Sequence, residues 1–213
     1  MSDADGSAWP EIVRQIHEAS VDVEAIPVDP VRGQAVLKEL QLTERSTLGA
    51  IAANAGGLLI ESGWLRILGG GMPGLPSLSQ ENSGSRARSH LVVAFDALGG
   101  RFAIDGGGLG IAAGEVCYWG PDTLAWSGIG GGLSAFVSWA LDGGLTDFYA
   151  SLRWTGWRQD SSSLAVDQGW SLYPPPFSTE GQNANAVSRS AVPLAELHYF
   201  YAEAARQLNG GNV

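Results

Sequence analysis

Gly56-Gly57-Leu58-Leu59-Ile60-Glu61-Ser62-Gly63-Trp64-Leu65-Arg66-Ile67-Leu68 is where the chain changes character. Two apolar runs, Leu58 to Ile60 and Trp64 to Leu68, flank Glu61-Ser62-Gly63, a length and a turn residue that predict a β-hairpin. Upstream, the spacing is helical. Pro10 falls in the first turn of a stretch from about residue 9 to 19, with Ser7 or a neighbour as cap and Ile12, Val13, Ile16 and Ala19 on one face. Val23 to Val28 alternates like a short extended segment. Asp29-Pro30 opens a second helix to about Leu40, since aspartate accepts from orphan N–H groups where proline has none to waste. A third helix, Ser46 to Asn54, ends in Ala55-Gly56-Gly57.

Downstream, His90 to Ala97 and Arg101 to Asp105 form a second predicted hairpin around Leu98-Gly99-Gly100, and Glu115 to Trp119 reads as a strand ended by Gly120-Pro121-Asp122. Residues 69–89 offer little to bury and read as a lid, a binding loop or a disordered stretch. Helices return at Leu133 to Leu141, Thr146 to about Leu152 and Pro193 to about Leu208, while 154–192 reads as irregular. Strands in mid-chain with helices outside them, and no βαβ alternation, predict an α+β fold: one antiparallel, alternatively mixed, β-sheet flanked by helices. The expected organisation is one domain over 1–213, with N-terminal helices (1–56), a sheet-rich centre holding the flexible loop (57–132), and C-terminal helices with a proline-rich segment (133–213).

The 213 residues carry 12 Lys+Arg against 22 Asp+Glu, a net charge of −10. That balance argues against nucleic acid and against anionic membranes, because both reward clustered cations, and Arg86 with Arg88 is the nearest approach to a cluster. It favours basic partners. Cys117 stands alone in a strand, so no intrachain disulfide forms and a small buried hydrophobe is expected. The acidic, polar start and the lack of a long apolar run predict a cytoplasmic protein with no membrane span.

No motif advertises a reaction. Gly69-Gly70-Gly71-Met72-Pro73-Gly74 fits a dinucleotide pattern in spacing only, since Pro73 removes a donor and no βαβ unit comes after it. Gly106-Gly107-Gly108-Leu109-Gly110 lacks a phosphate-loop lysine. His17, His90 and His198 are too dispersed to predict a metal site, and no cofactor is implied. Asp96, Asp105, Glu115 and Asp122 lie at predicted strand ends, where convergent carboxylates could share acid and base roles, although Asp105 and Asp122 are also ordinary turn residues. Eight aromatics crowd residues 119–157. Among them Trp126, Trp154 and Trp157, with Arg153 and Arg158 beside the last two, could line a groove or fill the core.

Several ordered segments carry a family resemblance: Gly56-Gly57-Leu58 to Gly69; Ala94-Phe95-Asp96 with Gly99 to Ile104; Tyr118-Trp119-Gly120-Pro121-Asp122-Thr123-Leu124-Ala125-Trp126; Phe148-Tyr149 with Leu152 to Trp157; and Tyr173-Pro174-Pro175-Pro176-Phe177. Together they resemble the bacterial family known as domain of unknown function 2625 across nearly the whole chain, a family that implies no activity. The order of helices, hairpin and strand pair is also similar to the SUKH superfamily, whose members are commonly cytoplasmic immunity proteins that neutralise toxins. That likeness implies a basic protein partner such as a toxin. The resulting expectation is a non-catalytic protein-binding module using Asp96, Asp105, Glu115, Asp122, Trp126, Trp154, Trp157 and Arg153. The alternative is a small-molecule module or an enzyme whose pocket combines those tryptophans with Arg66, Arg101 or Arg153.

Overall fold

A computed structural model describes residues 6–84 and 89–209 of the protein. Three helices open it: α1 (Trp9–Glu18), α2 (Pro30–Leu40) and α3 (Thr47–Asn54), with β1 (Val23–Ile26) between the first two. Asp29 caps α2 by accepting from Val31 N–H, and Ser46 caps α3 by accepting from Gly49 N–H. Strands β2 (Gly57–Ile60), β3 (Leu65–Leu68), β4 (His90–Asp96), β5 (Arg101–Asp105), β6 (Val116–Trp119) and β7 (Trp126–Gly128) come next, with α4 (Leu78–Glu81) between β3 and β4. The seven strands pair in chain order as an antiparallel meander, β1 to β7. The fold is α+β, and every pairing in this sheet is antiparallel.

Register sorts the side chains into two faces. Leu58, Ile67, Ala94, Phe102 and Tyr118 are direct partners in successive pairs, so they share one face. There Phe102 meets Phe136 of α5 (Leu133–Leu141) at 4.9 Å and Phe148 of α6 (Leu145–Phe148) at 5.9 Å. The opposite face carries Glu24, Leu59, Arg66, Phe95, Arg101, Trp119 and Trp126, again partner to partner across the sheet. Against it lie α7 (Trp157–Ser162), a hairpin of β8 (Gln168–Tyr173) and β9 (Ser188–Pro193), and α8 (Leu194–Asn209). Contacts that place them include Arg66 to the Gln168 carbonyl and Phe95 to His198. The stretch 154–192, read as irregular from sequence, therefore holds a helix and two strands. Its hairpin hides because 174–187 separates partners that usually lie a few residues apart. Gly169 lets β8 approach the β4–β5 turn: a Cβ there would stand 2.8 Å from the Ala97 carbonyl, and Trp170 N–H donates to that same oxygen at 2.6 Å.

The expected flexible loop also differs. Within 69–84, Leu75 and Leu78 are buried, and Ser77 with Gln80 forms a reciprocal capping box for α4. The glycine run packs against backbone instead of cradling phosphate: Gly70 N–H donates to Ala55 O and Gly71 N–H to Gly56 O, while a Cβ on Gly69 would lie 2.3 Å from Ala55 O. Residues 85–88, with Arg86 and Arg88, lie outside the described residues, as do 1–5. Asn82 explains why this segment is held. Its amide accepts from Val92 N–H and donates to Val92 O and Leu78 O, each at 2.8 Å. Strand β3 pairs β4 only from Ala94 onward, so a side chain stands in for the strand that Val92 lacks.

Asn82→Leu removes both partners of a buried peptide group and is expected to lower the unfolding free energy by about 2–3 kcal/mol, read from urea denaturation. A pH dependence is expected from α8. His198 stacks there on Phe95 at 4.9 Å, and its Nε2 is buried with no hydrogen-bond partner among the described residues. Burial, with Arg101 adding to it, pushes its pKa down to about 3. The unfolded chain takes up that proton near pH ~6.5, so stability present above this pH is lost as pH falls toward 3. The slope is up to about 1.4 kcal/mol per pH unit. His198→Phe flattens it, as denaturation at neutral and mildly acidic pH will show.

Candidate functional site

Three of the four carboxylates expected at strand ends are spent on structure. Asp96 is fully buried. Its Oδ1 accepts from Leu98 N–H and Gly100 N–H, and its Oδ2 from the Tyr118 and Tyr149 hydroxyls at 2.8 and 2.9 Å. It locks the β4–β5 turn to the core and offers no docking surface, and burial pushes its carboxyl up against the pull of those bonds. Asp105 accepts from the N–H groups of Gly107, Leu109 and Ile111, the Leu109 bond doing most to hold its carboxyl below the usual range. Glu115 accepts from Gly130 N–H. Asp105 and Glu115 are thus brought together as loop organisers at one end of the sheet, and Asp96 sits at the other. Asp122 Oδ1 is buried with no hydrogen-bond partner among the described residues. Cys117 is buried, and burial, with Asp105 and Glu115 behind it, pushes its thiol up.

Arg153, Trp154 and Trp157 do come together, around residues that the sequence pattern leaves in a turn. Arg153 is sandwiched by Trp157 at 3.7 Å, Trp64 at 4.8 Å and Tyr149 at 5.0 Å, and pairs with Glu61, which is wholly buried. Burial lowers the Arg153 pKa and Glu61 pulls it back. Arg158 adds a second guanidinium to Glu61 at 3.1 Å and reaches Asp22 at 3.3 Å. Asp22 in turn accepts from Ser62 N–H. Trp154 is buried, with its indole N–H on Asp160. The cluster is filled, so these tryptophans form a wall and not a groove. Trp126 belongs elsewhere: with His90, Arg101 and Trp119 it borders a cavity of about 190 Å³ beneath α8.

Beside the filled cluster lies a larger, half-open cleft of about 410 Å³, lined by Asp22, Glu24, Leu59, Arg66, Ser161 and Leu164 among others. Its floor is the sheet row Glu24–Leu59–Arg66, and its wall is α7 with the segment leading into β8. Arg66 is 2% exposed. Its Nε donates to Gly63 O, and its Nη1 to Val166 O and Gln168 O at 2.9 and 2.6 Å. Among the described residues Nη2 makes no hydrogen bond, and no carboxylate stands within ion-pair distance of the guanidinium. Asp96 and Asp167 act on it only from further off, and burial lowers its pKa to about 10. Ser161 in the same wall is 2% exposed, and its hydroxyl has no hydrogen-bond partner among the described residues. Arg66 is one of the three arginines named from sequence for a pocket, and it lines this cleft, whose lining holds none of the tryptophans.

Among the described residues no group of three or more His, Cys, Asp or Glu could hold a metal ion, and no helix is long and apolar enough to cross a membrane. Comparison with known proteins matches residues 1–197 to the family described as "Protein of unknown function DUF2625". The chain belongs to that family. It is 40% identical over 197 residues to the putative uncharacterized protein YbfG of Escherichia coli (strain K12), covering 90% of this chain and 88% of the relative. An uncharacterized protein of Haemophilus influenzae is 33% identical over 201 residues, covering 91% and 87%. No solved structure matches significantly, and the SUKH likeness finds no support among these matches.

The Glu61 pair sets the geometry of this region, so its removal is expected to be severe. Glu61→Ala strands the Arg153 charge in an aromatic sandwich and lowers stability by about 3–5 kcal/mol. Glu11→Ala, which breaks the exposed pair with Arg14 on α1, leaves the midpoint of a urea melt unchanged.

Proposed function

We propose that the protein is a non-catalytic binding module whose ligand is a small carboxylate-bearing molecule seated in the Arg66 cleft. One observation carries this reading. Arg66 is a buried guanidinium held by three backbone carbonyls, with a free Nη2 edge and no carboxylate in reach, on the floor of a 410 Å³ cleft. With Nε and Nη1 committed to carbonyls, the N–H groups of Nη2 remain to donate a charge-assisted hydrogen bond to a carboxylate oxygen, and a pocket of this size suits a small molecule. The non-catalytic part is supported by Asp96, Asp105 and Glu115, whose oxygens are committed to backbone N–H and tyrosine hydroxyl groups. The proposed setting is the cytoplasm, where lone Cys117 stays reduced.

A second reading keeps a basic protein partner, such as a toxin neutralised by docking. It is favoured by the net charge of −10 and by Tyr199 and Phe200, which stand exposed on α8. Its capture from a lysate would weaken steeply with salt.

Thermal melts against a panel of small mono- and dicarboxylates separate the two. A ligand at a hundredfold excess over its Kd stabilises by about 2.7 kcal/mol, worth roughly 5–10 °C for a chain of this length. At least one carboxylate is expected to give such a shift in the parent protein and not in Ser162→Trp, which plugs the mouth from an exposed wall position. A panel without effect overturns the small-molecule reading.

A further inference from the structure

The cleft holds more than an anion site. Its floor presents three side chains in register across β1, β2 and β3: Glu24 opposite Leu59, and Leu59 opposite Arg66. Direct partners on adjacent strands share a face, so a carboxylate, an aliphatic side chain and a guanidinium stand in a line within one cavity. The two charged ends do not satisfy each other. Two strand spacings, about 9.5 Å, separate their backbones, and Leu59 lies between them. Glu24 forms no ion pair among the described residues, and Arg66 keeps Nη2 unbonded. Asp22, at the same rim, is already occupied by Ser62 N–H and Arg158. Glu24 is thus the free anion of the cleft, and Arg66 the free cation.

The geometry points to a zwitterionic ligand: a small molecule whose carboxylate meets Arg66 and whose ammonium meets Glu24, joined by a short aliphatic chain lying over Leu59. An anion alone would leave Glu24 facing its own kind of charge at the mouth. A cation alone would leave the buried guanidinium uncompensated, which is the costlier of the two defects. A molecule with both charges corrects both. The spacing favours charges set apart along a chain, as in an ω-amino acid, over the single carbon of an α-amino acid. Val23, Leu164 and Val166 extend the apolar surface of Leu59 and suit a methylene chain, while Ser62, Ser161 and Ser162 add hydroxyls to the lining.

The zwitterion site rests on the Arg66 cleft being a carboxylate site, and the test separates the two. Isothermal titration uses the full chain with γ-aminobutyrate, butyrate, butylamine and glycine as probes, on the parent protein and on Glu24→Gln. Glu24 is exposed on edge strand β1, so its replacement leaves the core intact. Arg66→Met is avoided as the main variant because the guanidinium also holds three carbonyls in place. The expected result is that γ-aminobutyrate binds at least tenfold more tightly than butyrate, butylamine or glycine. Glu24→Gln should remove that advantage while leaving butyrate binding as it was. Should butyrate bind as well as γ-aminobutyrate with Glu24→Gln silent, the zwitterion is overturned and the carboxylate site stands. If no probe bearing a carboxylate binds, both fall.

Discussion

Glu61 is the constraint on which the rest of this architecture turns. It sits in the β2–β3 turn with φ of 51°, beside Ser62 at 58°, both in the left-handed region that non-glycine residues enter at a cost. Two contacts hold the turn there: Asp22 accepts from Ser62 N–H, and Glu61 N–H donates to Asp22 O. In return the turn presents one buried carboxylate to two guanidiniums that arrive from a distant part of the chain. Arg153 and Arg158 bracket Trp157 at the start of α7. Fixing them against the sheet fixes α7, and α7 carries Ser161 and Ser162 into the wall of the cleft. A backbone conformation, an ion pair and a binding cavity are therefore one linked arrangement.

The aromatic residues give this linkage its rigidity. Trp64 meets Tyr149, Trp154 and Trp157 with centroids 5.4, 5.7 and 5.1 Å apart, tilted or edge-on. Tyr149 then passes the constraint to Asp96 through its hydroxyl, and Asp96 reaches Tyr118 and the β4–β5 turn. Two turns on the same end of the sheet are so tied through one tyrosine. Such a network leaves no space for a ligand among the tryptophans. It instead makes a stiff boundary beside which a cleft keeps its shape.

Much of the fold was legible because its signals are local. The β2–β3 and β4–β5 hairpins announce themselves by alternation around glycine turns, and the Asp29-Pro30 and Ser46 starts by cap chemistry. The β8–β9 hairpin was not legible, since its halves are split by 174–187 and β9 is largely exposed and polar. The site divides the same way. Arg153, Trp154 and Trp157 attract notice as neighbours in sequence, whereas their anchor Glu61 lies 92 residues away. Arg66 stands among the pocket arginines named from sequence, but its burial does not show there. Between Leu65 and Ile67 it occupies the face that an uncovered strand would give to water, and only the return of Val166 and Gln168 buries it.

That burial bears on what Arg66 is for. Replacing a buried ion with a well-packed apolar residue is often neutral or stabilising, so structural need alone gives a weak account of an arginine here. Three carbonyls offer partial charges and fix the position of the fork, yet they leave a full positive charge without a full negative one. The remaining compensation comes from Asp96 and Asp167 at longer range, and Asp96 is itself a carboxyl that burial holds toward its neutral form. The electrostatic deficit is thus concentrated at the one edge of the guanidinium that the protein leaves unbonded, and Arg66 lines a cleft wide enough for a small molecule. A scaffold that needed only a tie between β3 and β8 could close that edge with a carboxylate of its own; this one keeps Glu24, the unpaired carboxylate of the cleft lining, two strands away on the far side of Leu59.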